Sequence, residues 1–391
     1  MPHNILIATT HRLNNRAGGT ERVLCSFANA MSLKGYKVYI LYCDKHSGSP
    51  FFTIDKSISI INTYTNRSWF STQFIRNLIS FSLDKNKKYK KRKIIECKLV
   101  AKDFKKHLNL IKTRVDIAIC FDFESAYIFK EIFHVEIPII TTLQTAPSLA
   151  FNSQKNDLFL DTINKCQALH VLMPDFEPEC KKRFPNTNVV CIPNCIEPFT
   201  EEANYSQKKI ICVSRYDPEK RPALLVEAFS LLAQRFRDWK VEFWGRLGGK
   251  NCKEIQNLIK QKKLDKQFKL CGVTNNIEEK LSQASIYVIP SEFEGFCLSL
   301  VEAMAVGLPS VGIIDCPAVN SLIQNNSNGL LSKPTPEHLA SSLEKLMLDA
   351  NLRQRLGQQA RIDSQKYQPN VVWQRWDNLI KEQLSVLKPK Y

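Results

Sequence analysis

Residues 291–312 read SEFEGFCLSLVEAMAVGLPSVG. Before them stands SIYVIP (285–290), an apolar run of strand length, and PSVGI (309–313) closes the stretch as another. Residues 297–306 between them read as a helix. Strand, helix and strand in that order make a βαβ unit, and such units build parallel sheets. The stretch also carries Glu294 and Glu302, which are either a site or two acids on a solvated helix face. Were 294–302 all helical, the two carboxylates would lie about 12 Å apart along the axis. Gly295 predicts instead a loop that folds Glu294 back over the helix N-terminus. The N–H groups of Phe296, Cys297 and Leu298 are then expected to point at an anion between the two acids. An elongated ligand with a central phosphate and hydroxyl-bearing groups at both ends fits, and a sugar nucleotide has that layout.

The same alternation runs outward in both directions. On the N-terminal side NILIAT (4–9), KVYILYC (37–43), VDIAIC (115–120), PIITTL (138–143), ALHVLM (168–173) and NVVCIP (188–193) read as strands. Val23, Leu24, Phe27, Ala28 and Met31 give 20–34 helical spacing, with Gly35 as its stop. Residues 68–112 are long, basic and helical in pattern. A polar, aperiodic stretch covers 195–208 and reads as a linker. Strands then resume with KIICVS (209–214), KVEFWG (240–245) and FKLCGV (268–273), with helices near 219–237 and 251–263. Continuous apolar strands belong to a parallel sheet covered on both faces. The chain is therefore expected to be α/β, with two doubly wound, Rossmann-like domains at 1–194 and 209–368, and a shared cleft as the ligand site. The tail 369–391 forms an amphipathic helix, with Trp373, Trp376 and Leu379 on one face, expected to pack back toward the first domain.

Composition narrows the partners. The 391 residues carry a net charge of +17, with 24% charged and 44% hydrophobic residues. That is a folded chain with a basic surface, suited to anionic partners. KNKKYKKRK (85–93) is the densest basic run, either a solvated helix or a patch facing acidic lipid headgroups. No apolar stretch reaches the ~20 residues of a membrane-spanning helix, and no secretory signal is visible at the start. The 13 cysteines are scattered without a CxxC, which fits a reducing cytosol and core positions rather than zinc or disulfides.

Two more stretches carry candidate chemistry. Gly18-Gly19-Thr20-Glu21 follows the first strand and opens a helix, where glycines admit a ligand close to the backbone N–H groups. The alternative is a plain helix start, with Thr20 as N-cap and Glu21 in the first turn. The spacing is not that of a dinucleotide fingerprint, and Asp44 is a weak candidate for its acid. SRYDPEKRP (214–222) follows the first strand of the second half. Arg215, Lys220 and Arg221 cluster there with Asp217 and Glu219, at a strand end suited to phosphate binding. Asp122-Phe123-Glu124 is a DxE at a strand end, structural or acceptor-facing. The seven histidines form no constellation, and only His11 lies in a loop expected to face the cleft.

EGFCLSLVEAMAVGLP resembles the E-x7-E signature of retaining GT-B glycosyltransferases, glycosyltransferase family 4. GGTERV near the start and SRYDPEKRP after the linker agree with it in order and spacing, so the resemblance covers nearly the whole chain. It implies a nucleotide-sugar site in the second domain. Glu302 is the expected ribose-binding acid, and Glu294 the acid facing the donor sugar. Arg215 and Lys220 are expected to neutralise the diphosphate, helped by Gly295 and the N–H groups of 296–298. Gly18 and Gly19 are expected to let the first domain close on the phosphates, and Val273 to touch the base. Many relatives place a histidine where Gln144 stands here; Gln144 can bond a sugar hydroxyl but cannot act as a base.

The implied activity is retaining, metal-independent transfer of a hexose or N-acetylhexosamine. The expected donor is a nucleoside-diphosphate sugar, a UDP-sugar first, with no separate cofactor. The acceptor is expected to be a lipid-linked or lipopolysaccharide-type glycan, reached from the cytosolic membrane face by a peripheral enzyme. A nucleic-acid-binding protein is the alternative from another class, but the basic residues are not interleaved with stacking aromatics. A sugar-nucleotide epimerase or a phosphorylase is the alternative within the same fold.

Overall fold

The computed structural model describes residues 3–64, 85–151 and 157–386. They fall into two compact units, unit 1 from Met1–Pro193 with Val372–Tyr391 and unit 2 from Asn194–Val371.

Unit 1 is built on seven strands: β1 (Asn4–Thr9), β2 (Lys37–Tyr42), β3 (Ser59–Asn62), β4 (Ile117–Cys120), β5 (Ile139–Thr142), β6 (Ala168–Val171) and β7 (Asn188–Cys191). They pair in the order β3-β2-β1-β4-β5-β6-β7, all parallel. Residues Ile5 to Ala8 and Ile117 to Cys120 are wholly buried, which is why those segments are continuous apolar runs rather than alternating ones. The edge strand β3 alternates half-buried and exposed residues, so SIIN gives little signal as a buried strand. The helix Gly19–Leu33 buries Val23, Leu24, Phe27, Ala28 and Met31 against the sheet. Gly35 follows in the left-handed region at φ +89°, a conformation glycine adopts without a Cβ clash.

The long basic segment resolves in part. Residues 68–84 of the expected helix lie outside the described residues. Lys85–Phe104 is helical, and a second helix covers Leu108–Arg114. Cys97, Ala101 and Phe104 are buried at spacings of four and three, one narrow face of the helix. Among the described residues, no helix is long and apolar enough to cross a membrane.

The last helix, Pro369–Val386, enters unit 1 from Val372 onward. Trp373 and Trp376 are buried, with ring centroids 6.2 and 4.8 Å from that of Phe27. Asp377 accepts the Tyr36 hydroxyl at 2.7 Å and the Lys381 ammonium at 2.9 Å.

Unit 2 has six strands: β8 (Lys209–Val213), β9 (Lys240–Trp244), β10 (Phe268–Gly272), β11 (Ile286–Ile289), β12 (Ser310–Ile313) and β13 (Gly329–Ser332). Their order is β10-β9-β8-β11-β12-β13, again parallel. β13 is hard to read because it opens on Gly329, where a Cβ would lie 2.6 Å from the Ser310 carbonyl oxygen. Only glycine lets the two backbones approach that closely. Residues 195–208, read above as a linker, lie within unit 2. There Ala203 N–H donates to Val306 O at 2.7 Å and the Tyr205 hydroxyl to Gly307 O at 2.8 Å. Their polarity reflects exposure, with Glu197, Glu201, Glu202, Asn204 and Ser206 all facing solvent.

Candidate functional site

In unit 2 the strand order reverses between β8 and β11. Ligands of open α/β sheets bind at the carboxyl ends of the strands where such a reversal opens a crevice. The two loops singled out from the sequence, 214–222 and 291–297, leave those two strands.

The loops are tied to each other. Glu292 N–H donates to Glu219 O at 2.9 Å. Arg221 reaches both carboxylate oxygens of Asp315, just past β12, at 3.0 Å, and its other arm lies 3.3 Å from Glu292. One guanidinium thus braces loops from three strands, with Nη1 shared between the two Asp315 oxygens and Nη2 turned to Glu292. Arg221 itself sits in the left-handed region, φ +45°, where the short helical turn Pro218–Lys220 gives way to the helix Pro222–Leu232.

At the centre lies Glu294. Its Oε1 accepts from Ser291 Oγ at 2.7 Å and from Lys220 Nζ at 2.8 Å. Lys220 also donates to the Phe293 carbonyl at 2.9 Å. An ammonium has three N–H donors, so this pattern leaves one for a ligand. Both side chains are largely buried, at 12% and 14% exposure, where the pair is weakly screened by salt. Arg215 is the opposite case. It is exposed and held by Asp217 and Glu219 on its own loop.

The helix begins at Leu298, and Cys297 occupies its N-cap in the left-handed region, φ +67°. Glu294 and Gly295 therefore lie outside the helix, and Glu302 lies inside it, buried. Phe296 is buried too, its ring edge-on to Tyr367 with centroids 5.4 Å apart. Ser299, in the first turn, accepts the Tyr287 hydroxyl at 2.8 Å and donates to Val213 O at 3.0 Å. That pins the start of the helix to the ends of β8 and β11. Val273 is 71% exposed just past β10. By strand order its loop is about 10 Å from that of β8, two strand spacings.

Glu294, Lys220, Gly295, Phe296, Cys297, Leu298 and Glu302 are thus brought together, with Arg215 on the adjoining loop. Gly18, Gly19 and Gln144 belong to unit 1. Gly18, not Thr20, is the N-cap of the first helix. A Cβ on Gly18 would lie 2.1 Å from a carboxylate oxygen of Glu21, and Glu21 is buried and paired to Arg16 at 3.0 Å. Gly19 is exposed and Gln144 half-buried past β5. Asp44 is committed to the loop before that helix, accepting N–H bonds from Leu13 at 3.0 Å and Asn14 at 2.8 Å. Those bonds and His46 hold its carboxyl below its usual range, against the upward push of burial.

Sequence reasoning missed Ser291, Ser299 and Tyr287, which place the site without being its obvious chemistry. Ser291, three residues before Glu294 at the end of an apolar strand, was the legible signal among them.

Residues 196–363 match the family model described as Glycosyl transferases group 1. An uncharacterized glycosyltransferase of Haemophilus influenzae is 25% identical over 371 residues, covering 93% of this chain and 96% of the relative. The amylovoran biosynthesis glycosyltransferase AmsD of Erwinia amylovora is 22% identical over 377 residues, 94% of this chain and 97% of its own length. Among solved structures, a mutant TarM of S. aureus in complex with Fondaparinux, alpha-GlcNAc-glycerol and UDP superposes with a TM-score of 0.74. Its identity is 16%, over 96% of this chain and 99% of that one. Residues 196–363 thus carry a Glycosyl transferases group 1 domain, the relatives along the full length are glycosyltransferases, and the two parallel sheets share the GT-B fold.

Proposed function

We propose that the chain moves a hexosyl or N-acetylhexosaminyl group from a nucleoside-diphosphate sugar, a UDP-sugar first, to a lipid-linked or lipopolysaccharide-type glycan. The transfer proceeds with retention and without a metal ion. The observation that carries this reading is the Lys220–Glu294 pair beside a helix N-terminus at the strand-order reversal of unit 2, with buried Glu302 further along that helix. Lys220 and the first N–H groups of the helix stabilise charge developing on the departing diphosphate, and Arg215 adds a second, exposed cation on the adjoining loop. Glu294 holds Lys220 in place and presents its second oxygen to a sugar hydroxyl. Glu302 accepts from the ribose hydroxyls.

The membrane-facing part of the proposal has separate support. Lys91, Lys98, Lys102 and Lys105 are exposed along one stripe of the helical segment 85–107, beside the face that carries Cys97 and Phe104. Basic residues near an anionic bilayer contribute about 1 kcal/mol each, enough together to hold a peripheral enzyme at the surface.

A hydrolysis screen of UDP- and GDP-sugars in the presence of EDTA tests the donor and the absence of a metal. Glu302→Ala is expected to weaken donor binding about tenfold to a hundredfold, the loss of hydrogen bonds to a charged group. Glu294→Ala is expected chiefly to lower turnover. Near-wild-type behaviour of both variants would sink the site, and activity abolished by EDTA would sink the metal-free step.

A further inference from the structure

Unit 1 has its own reversal of strand order, between β1 and β4. The loops that leave those strands meet around one carboxylate. Asp122, 6% exposed, accepts from Thr9 Oγ1 at 2.7 Å and from Thr10 N–H at 2.6 Å through Oδ2. Its Oδ1 accepts Ser125 N–H at 2.6 Å and so caps the short helix Phe123–Tyr127. His11 stands over the same group. Its backbone N–H donates to Thr9 Oγ1 at 3.1 Å, and its Nε2 lies 3.9 Å from Asp122 Oδ2 while the side chain stays 54% exposed. Nearby, Glu124 is neutralised by Lys93 at 2.6 Å.

We propose that His11, beside Asp122, receives a hydrogen bond from a hydroxyl of the acceptor sugar. The inference rests on the glycosyl-transfer reading and adds to it a residue that selects the acceptor. Helix capping accounts for Asp122 alone. It gives no reason for a solvent-open imidazole standing 3.9 Å from that carboxylate at the place in the sheet where a crevice forms. At 3.9 Å Asp122 is too far to accept a hydrogen bond from Nε2, but its charge favours the proton of a neutral ring on this nearer nitrogen, which leaves Nδ1 as the acceptor. Nδ1 has no partner among the described residues. The charge of Asp122 also favours one class of ligand. A fixed carboxylate repels the diphosphate of a donor, whereas an uncharged polyol brings hydroxyl donors and meets no such repulsion.

The test uses the full chain with UDP-glucose, UDP-galactose, UDP-N-acetylglucosamine and GDP-mannose as donors. Octyl glucoside, octyl galactoside and octyl N-acetylglucosaminide are the acceptor probes. His11→Ala is expected to raise the acceptor KM about tenfold or more, with the donor KM changed less than about twofold. His11→Gln, whose amide oxygen can accept, is expected to recover most of that loss, and His11→Phe none. An unchanged acceptor KM in His11→Ala, or equal loss in the Ala and Gln variants, overturns the assignment. So does a wild-type enzyme that hydrolyses a donor yet glycosylates none of the three glycosides. A wild-type enzyme that consumes no sugar nucleotide overturns the transfer reading itself, a result visible before any variant is made.

Discussion

Cys297 makes the left-handed turn that keeps Glu294 off the helix and places it beside Lys220. At φ +67° with its side chain buried, the residue bears a backbone cost of about 1–2 kcal/mol that glycine would not. Cys297→Val adds a β-branch in a conformation such residues avoid. It is expected to lower stability by about 2 kcal/mol or more in urea unfolding. Cys297→Gly trades the strain for the lost packing of a small thiol and is expected to stay within about 1 kcal/mol of wild type. If the valine variant is as stable as the glycine one, the turn carries no strain. At this scale the two acids were legible because Gly295 breaks the helical reading between them. The left-handed turn was not, since it falls on a cysteine, a residue type with no preference for positive φ.

Among the elements, β6 carries a titratable group in the core. His170 is 2% exposed, bonded to Ile192 O at 2.7 Å, with its ring 4.5 Å from that of Trp376. Burial pushes its pKa down from the usual 6.5 to about 4, and the charge of Arg375 pushes the same way against the carbonyl bond. A lowered histidine pKa means the unfolded chain binds the proton first, so stability falls as pH drops from about 6.5 toward 4. The shift corresponds to about 3 kcal/mol across that window. His170→Leu is expected to flatten the pH dependence of unit 1 unfolding between those limits, whatever it does to stability at neutral pH. An unaltered slope in the variant would mean that other groups set the acid response. Strands such as β6 were readable from their apolar runs. The edge strand β3 and the glycine-led β13 were not, because one lacks a buried face and the other owes its place to a close backbone approach at Gly329.

For the whole molecule, the division into two units crosses the chain twice, and the second crossing puts Trp373 and Trp376 into the core of unit 1. Trp376→Ala leaves space beside Phe27 and His170, and is expected to cost about 3–5 kcal/mol. Calorimetry is expected to show that loss in the unfolding of unit 1 alone, with the transition of unit 2 in place. A single transition moving as one would contradict the division. The sequence displayed the amphipathic face of this helix and an expected direction of packing, but no local pattern names the residues that receive it. Only the three-dimensional partners Phe27 and Tyr36, more than 300 residues away in the chain, answer that. The same crossing sets an order of assembly during synthesis. Every residue of unit 2 has been made before Val372 is reached, whereas unit 1, begun first, lacks two core tryptophans until that later segment is translated. On the ribosome the unit started first is therefore the unit finished last, and it needs protection from aggregation for longer than its place in the sequence suggests.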